Sequence, residues 1–162
     1  VPLIKAAMQL QFAQLGRNKP KDRAELASKW ASIYDAYASQ AITPNGGVII
    51  AAGRKQALQG VLQGVLSIPI GVPAVVAAAW GSGLLAYWGG TPFTPGAVPN
   101  PPFVLPGVAT PPVGVAALIA ALTAIYLKTD SDDGFADSQA TALDACTRTV
   151  LVQFGPLPQP VQ

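Results

Sequence analysis

Apolar residues recur at helical spacing over most of the chain. Ile4, Met8, Phe12 and Leu15 stand four, four and three residues apart, a stripe that predicts a helix over 3–15 ended by Gly16. Beyond the basic turn Arg17-Asn18-Lys19-Pro20, Leu26, Trp30, Ile33 and Tyr37 share one face of a second helix over about 21–41. Glu25 and Lys29 add an i,i+4 pair of favourable polarity. Thr43-Pro44-Asn45-Gly46-Gly47 marks a turn, and a third helix is predicted over about 48–66. Its apolar face holds Leu58, Val61, Leu62 and Val65, and its polar face holds Gln56, Gln59 and Gln63. Glutamine hydrogen-bonds without a charge to desolvate, which suits a helix buried in an oligomer.

Pro69 and Pro73 interrupt the chain, and Pro73 suits the first turn of a fourth helix over about 73–88. Val76, Trp80, Leu84 and Tyr87 form one face of it. Ala77, Ala78, Gly81 and Gly83 are small enough for close helix approach. A fifth helix, over about 113–128, is apolar nearly all round, with Val115, Leu118, Ile119, Leu122, Ile125 and Tyr126, and is expected to be central. A sixth follows over about 135–146. Residues 148–154 then alternate at period two like a short strand. The tail from Gly155 to Pro160 reads as extended, lying on a partner or frayed.

Between the fourth and fifth helices, residues 89–112 contain Pro92, Pro95, Pro99, Pro101, Pro102, Pro106, Pro111 and Pro112. That density forbids helix and central strand and leaves extended backbone. Phe93, Val98, Phe103, Val104, Leu105 and Val108 need burial, so the stretch is no solvated linker. It is either an arm laid across a neighbouring surface or a proline-rich loop packed on its own domain. The expected architecture is mainly α: a helical bundle with a long Pro-rich extended arm and a short C-terminal strand. One domain over 1–154 includes the arm at 89–112, and 155–162 forms an extended tail.

Charge changes this picture most. Residues 56 to 127 contain no Asp, Glu, Lys, Arg or His. Charged residues are 11% of the 162-residue chain against about a quarter in ordinary soluble domains. Hydrophobic residues are 51%, and the mean hydropathy is +0.39. A neutral tract of this length implies surface held away from water, against lipid or other subunits. Net charge is only +2, and the basic residues among the first 29 positions are partly neutralised by Asp22 and Glu25. They read as a solvated turn and helix start rather than a phosphate site, so no specific nucleic acid is expected.

Chemistry is sparse. No histidine is present, which removes the usual general base and the commonest metal ligand. Cys146 is the single cysteine, so no intrachain disulfide forms, and on an apolar helix face it reads as a small core residue. Asp130-Ser131-Asp132-Asp133-Gly134 resembles the start of a calcium loop. Its glycine comes fifth, though, and Thr141 stands where a bidentate Glu is needed, so it reads as an acidic helix start. Asp132, Asp133, Asp137 and Asp144 have no lysine or histidine partner at defined spacing. Gly81-Ser82-Gly83 lies within a helical pattern, with no preceding strand or following Lys, and is not a phosphate loop. No catalytic residue, metal, cofactor or small-molecule substrate is expected, and the chain does not read as an enzyme. The start, Val1-Pro2-Leu3-Ile4-Lys5, lacks a secretory signal's arrangement, and Val after an initiator Met is what a nearly complete product would show.

An early helix with Tyr34-Asp35-Ala36, the uncharged region ending in Ala86-Tyr87-Trp88-Gly89-Gly90 and the proline-rich stretch through Pro106-Gly107 carry a resemblance. So does the Ala-rich helix ending in Cys146-Thr147-Arg148-Thr149-Val150-Leu151-Val152. Over about 26–154 the chain is similar to small virion structural proteins of tailed bacteriophages of myovirus type, some from phages of cyanobacteria. The resemblance implies a virion component of head, neck, tail or baseplate, partnered by copies of itself and other virion proteins. Trp80, Tyr87, Trp88, Phe93, Phe103 and Leu105 are the expected interface residues, as large, rigid contact area. The alternative is a membrane protein with a two-helix hairpin. Its apolar stretches 65–88 and 113–127 are flanked by Arg54, Lys55 and Lys128, which would lie on one side. The second stretch is short for a ~30 Å hydrocarbon core, and Pro69, Gly71 and Pro73 interrupt the first.

Overall fold

The structure, a computed structural model, describes residues 3–67, 72–96, 105–128 and 131–162. Among the described residues the chain is mainly helical, 60% in six helices, with a small antiparallel sheet of four short strands. The helices are α1 (Lys5–Arg17), α2 (Arg23–Ala38), α3 (Arg54–Leu66), α4 (Pro73–Trp88), α5 (Val115–Leu127) and α6 (Asp132–Thr147). The strands are β1 (Pro92–Phe93), β2 (Gly107–Ala109), β3 (Leu151–Phe154) and β4 (Leu157–Pro160), side by side in that order.

Local chemistry explains the helix starts. Asp22 accepts the Glu25 amide at 2.7 Å at the head of α2, and the Glu25 carboxylate accepts the Lys21 amide at 2.7 Å. Ser131 caps α6 through the Gly134 amide at 3.1 Å, so Asp132 and Asp133 become its first turn, where the helix dipole favours them. Pro73 opens α4. The third helix begins later than its pattern predicts, at Arg54. Val48, Ile49 and Ile50 are β-branched and extended instead: Ile49 bridges Phe93 and is buried, and Gly53, at φ 79°, turns the chain into the helix.

Two expectations about extended segments are corrected. The proline-rich stretch does contain a central strand. Gly107–Ala109 carries no proline of its own and pairs with β1 on one side and β3 on the other. A Cβ at Gly107 would stand 2.6 Å from the Phe154 ring, so only glycine fits there. Residues 97–104, which include Phe103 and much of the expected arm, lie outside the described residues. The C-terminal tail is no detached extension. Gly155, at φ 63°, and Pro156 make the two-residue loop that folds β4 onto β3. Pro158 and Pro160 are tolerated because β4 is the sheet edge. Val161 is buried, and Gln162 exchanges backbone hydrogen bonds with Ile42 at 2.9 and 3.2 Å.

Each helix packs on the next, and α6 returns to α1, so the six close a circuit. The fourth helix sits between α3 and α5 through glycines. A Cβ at Gly83 would meet Leu58 of α3 at 2.5 Å, and one at Gly81 would meet Ile119 of α5 at 2.7 Å. Gly81-Ser82-Gly83 is thus a packing device with one glycine per neighbour. Aromatic side chains fill the interior. Trp30 and Trp80 have ring centroids 5.6 Å apart, and Tyr34 meets Tyr87 edge-on at 5.4 Å.

A hydrogen-bonded chain locks three helices together. Trp88 Nε1 donates to the Tyr34 hydroxyl at 2.8 Å, Tyr34 donates to Thr147 Oγ1 at 2.6 Å, and Thr147 donates to the Leu143 carbonyl at 2.8 Å. Every group in it is satisfied, as burial requires.

Candidate interaction surface

The helix circuit sorts charge by side. The consecutive helices α6, α1 and α2 carry Lys5, Arg17, Arg23, Glu25, Lys29, Asp35, Asp132, Asp133, Asp137 and Asp144. The other three, α3, α4 and α5, carry Asp, Glu, Lys or Arg only at Arg54 and Lys55, where α3 begins. Arg54 turns inward, donating to the Gly89 and Gly90 carbonyls at 3.3 and 3.1 Å at the end of α4.

On the charged side the carboxylates pair locally. Arg17 reaches Asp133 at 2.7 Å and Lys5 reaches Asp137 at 3.7 Å, both joining α1 to α6. Asp144 accepts from Arg148 at 2.9 Å and from the Tyr37 hydroxyl at 2.6 Å. The Asp144 carboxylate beside Arg148 holds that guanidinium's pKa above its usual value. Of Asp132, Asp133, Asp137 and Asp144, the last three are thus held by structural partners. Burial pushes the Cys146 thiol up to about 11, so it stays protonated and a poor nucleophile near neutral pH. No group of three metal-ligating side chains occurs among the described residues.

On the neutral side, small residues face outward in rows. Ala74, Ala78, Ser82 and Ala86 repeat every fourth residue along α4, and Ala116, Ala120 and Ala124 along α5; all are exposed. On α3, Gly60 and Gly64 open onto free space. Larger apolar groups border these rows: Val72, Val75, Leu85, Val113 at 82% exposure and Leu127 at 71%. The outward face of the sheet continues the theme, with Pro92, Val108, Gln153 and Pro158 in register across its four strands and Leu151 exposed. Val48 and Ile50 flank it, both exposed.

The expected interface residues fall differently. Trp80, Tyr87, Trp88 and Phe93 are fully buried within the chain, so their contact area serves the subunit's own core. Leu105 is exposed at 44%, and Phe103 lies outside the described residues. The physical reason is that α4 has two unlike faces. Its bulky side chains give more burial facing inward, which leaves the alanine row outside. That row, at 74, 78, 82 and 86, is legible in the sequence and carries the signal that bulk alone hides.

Among the described residues no helix is long and apolar enough to cross a membrane. The 16 residues of α4 and 13 of α5 span about 24 and 20 Å at the helical rise, against a ~30 Å hydrocarbon core. Comparison with protein-family models, curated proteins and solved structures finds no match to this chain.

Proposed function

We propose that this protein is a structural component of a bacteriophage virion, in the head, neck, tail or baseplate, and that it works by apolar packing of many copies. The virion assignment follows the resemblance of the sequence, and one observation supports the packing: the outer surfaces of α3, α4, α5 and the sheet combine rows of alanine and glycine with exposed valine and leucine, with charge on these helices confined to Arg54 and Lys55 at the start of α3. A free subunit keeps charge on its surface for solubility. A neutral face loses nothing to ion desolvation when another subunit covers it, and small residues let helices of neighbours approach closely. Covering about 1,000 Å² of apolar surface amounts to a gross ~25 kcal/mol before association costs.

The finer architecture belongs to the same proposal. The helix circuit acts as a rigid bundle, and the proline-rich stretch between β1 and β2 is the arm that reaches a neighbour, with Leu105 at its root. Mass spectrometry of purified particles tests the reading. The chain is expected among the abundant particle polypeptides; its absence from particles, or its recovery with detergent-extracted membranes, contradicts it.

A further inference from the structure

The charged side holds a feature that subunit packing does not use. Where the α1–α2 turn passes the start of α6, a half-open cleft of about 460 Å³ lies between the three helices. Its floor is apolar and largely aromatic, formed by Phe12 of α1, Leu26 and Trp30 of α2, and Phe135 of α6. Lys19, Lys21 and Arg23 stand around it, all exposed. Two carboxylates share the lining. Asp22 is engaged as the cap of α2, and Asp132 lies beside Gly16 on the opposite wall. Beside the cleft Arg17 pairs with Asp133 and Arg23 donates to the Leu66 carbonyl at 3.5 Å, whereas Lys19 and Lys21 form no ion pair among the described residues. The cleft therefore joins an apolar, largely aromatic floor to a lining with one more cation than carboxylate, its unpaired lysines Lys19 and Lys21 exposed.

We propose that this cleft docks an acidic segment of a partner protein, which inserts a bulky apolar side chain between Phe12, Leu26, Trp30 and Phe135. Its flanking carboxylates meet Lys19 and Lys21. The volume suits one or two such anchors, since binding pockets run from roughly 300 Å³ upward. Anchors buried in a pocket carry most of an interface's energy, and complementary charge at the rim sets partner choice and approach rate. A nucleic-acid strand is a poorer fit. It needs a line of phosphate contacts, and here two carboxylates interrupt the cations. The inference is independent of the packing reading, because it concerns the opposite side of the molecule and a different partner chemistry.

The test uses the full, isotope-labelled chain and a synthetic peptide of tryptophan and leucine flanked by glutamates. Analogues carry lysine in place of glutamate, or alanine in place of the anchors. The glutamate peptide is expected to shift the amide resonances of Phe12, Leu26 and Phe135 and to bind more weakly as salt is added. The rim variant Lys19→Glu/Lys21→Glu alters exposed side chains, so it keeps the native circular dichroism and loses about tenfold in affinity. Four results would overturn the proposal: no binding of the glutamate peptide, equal binding of either analogue, shifts confined to other residues, or displacement of the peptide by single-stranded oligothymidylate that binds more tightly.

Discussion

Tyr34 shows how much a single hydroxyl can hold. It accepts from Trp88 and donates to Thr147, so Tyr34→Phe leaves one buried donor and one buried acceptor without partners. The expected loss is about 1–3 kcal/mol, read as a lower urea midpoint with an unchanged slope. An unchanged midpoint would mean that the chain of bonds contributes nothing. All four tyrosines (Tyr34, Tyr37, Tyr87 and Tyr126) are shifted upward, each chiefly by burial; Asp144 adds to this at Tyr37, and Asp35 at Tyr87. Below about pH 10 the phenols are protonated in both states, and their contribution to stability is complete. Above it, the unfolded chain releases protons that the folded chain retains, so stability falls as pH rises. Spectrophotometric titration should therefore show no tyrosine ionising near pH 10 while the protein is folded, and tyrosinate absorbance rising together with unfolding. A normal titration of the folded protein would contradict the burial.

At the scale of elements, the periodicities at Leu26, Trp30, Ile33 and Tyr37, and at Val76, Trp80, Leu84 and Tyr87, located α2 and α4 well. Each stripe is long, and each faces one core. Strands were harder to read, because none exceeds four residues and their pairing is long-range. Nothing local to Gly107-Val108-Ala109 announces that Phe154 lies against it, or that Val161 seals the end of the tail. The candidate surface is half legible: the uncharged span announces a face poor in charge, but Trp80, Tyr87, Trp88 and Phe93, expected as its contacts, are buried within the chain. Two changes test these packings. Gly83→Val drives a branched side chain into buried Leu58 and should cost about 1–3 kcal/mol in thermal or denaturant unfolding, whereas Ser82→Ala beside it, exposed, should cost little. Ending the chain after Phe154 removes β4 and Val161, and should lower the melting temperature by several degrees. A truncated chain that melts unchanged would restore the tail to a detached extension.

Seen whole, the molecule has two sides of unlike character. Helices α6, α1 and α2 present ion pairs and a cleft lined by three cations and two carboxylates, while α3, α4 and α5 carry charge only at Arg54 and Lys55, where α3 begins. The closed circuit converts a simple property of the sequence, the absence of Asp, Glu, Lys, Arg and His from 56 to 127, into a directional one. The consequence we propose is association through that side. Sedimentation velocity of the isolated chain tests this most directly, run across a range of concentrations beside the variant Ala78→Lys/Ala120→Lys, whose lysines stand on the exposed rows of α4 and α5. The account predicts concentration-dependent assemblies for the native chain and a folded monomer for the variant. A native chain that stays monomeric at every concentration, or a variant that assembles just as well, would contradict it.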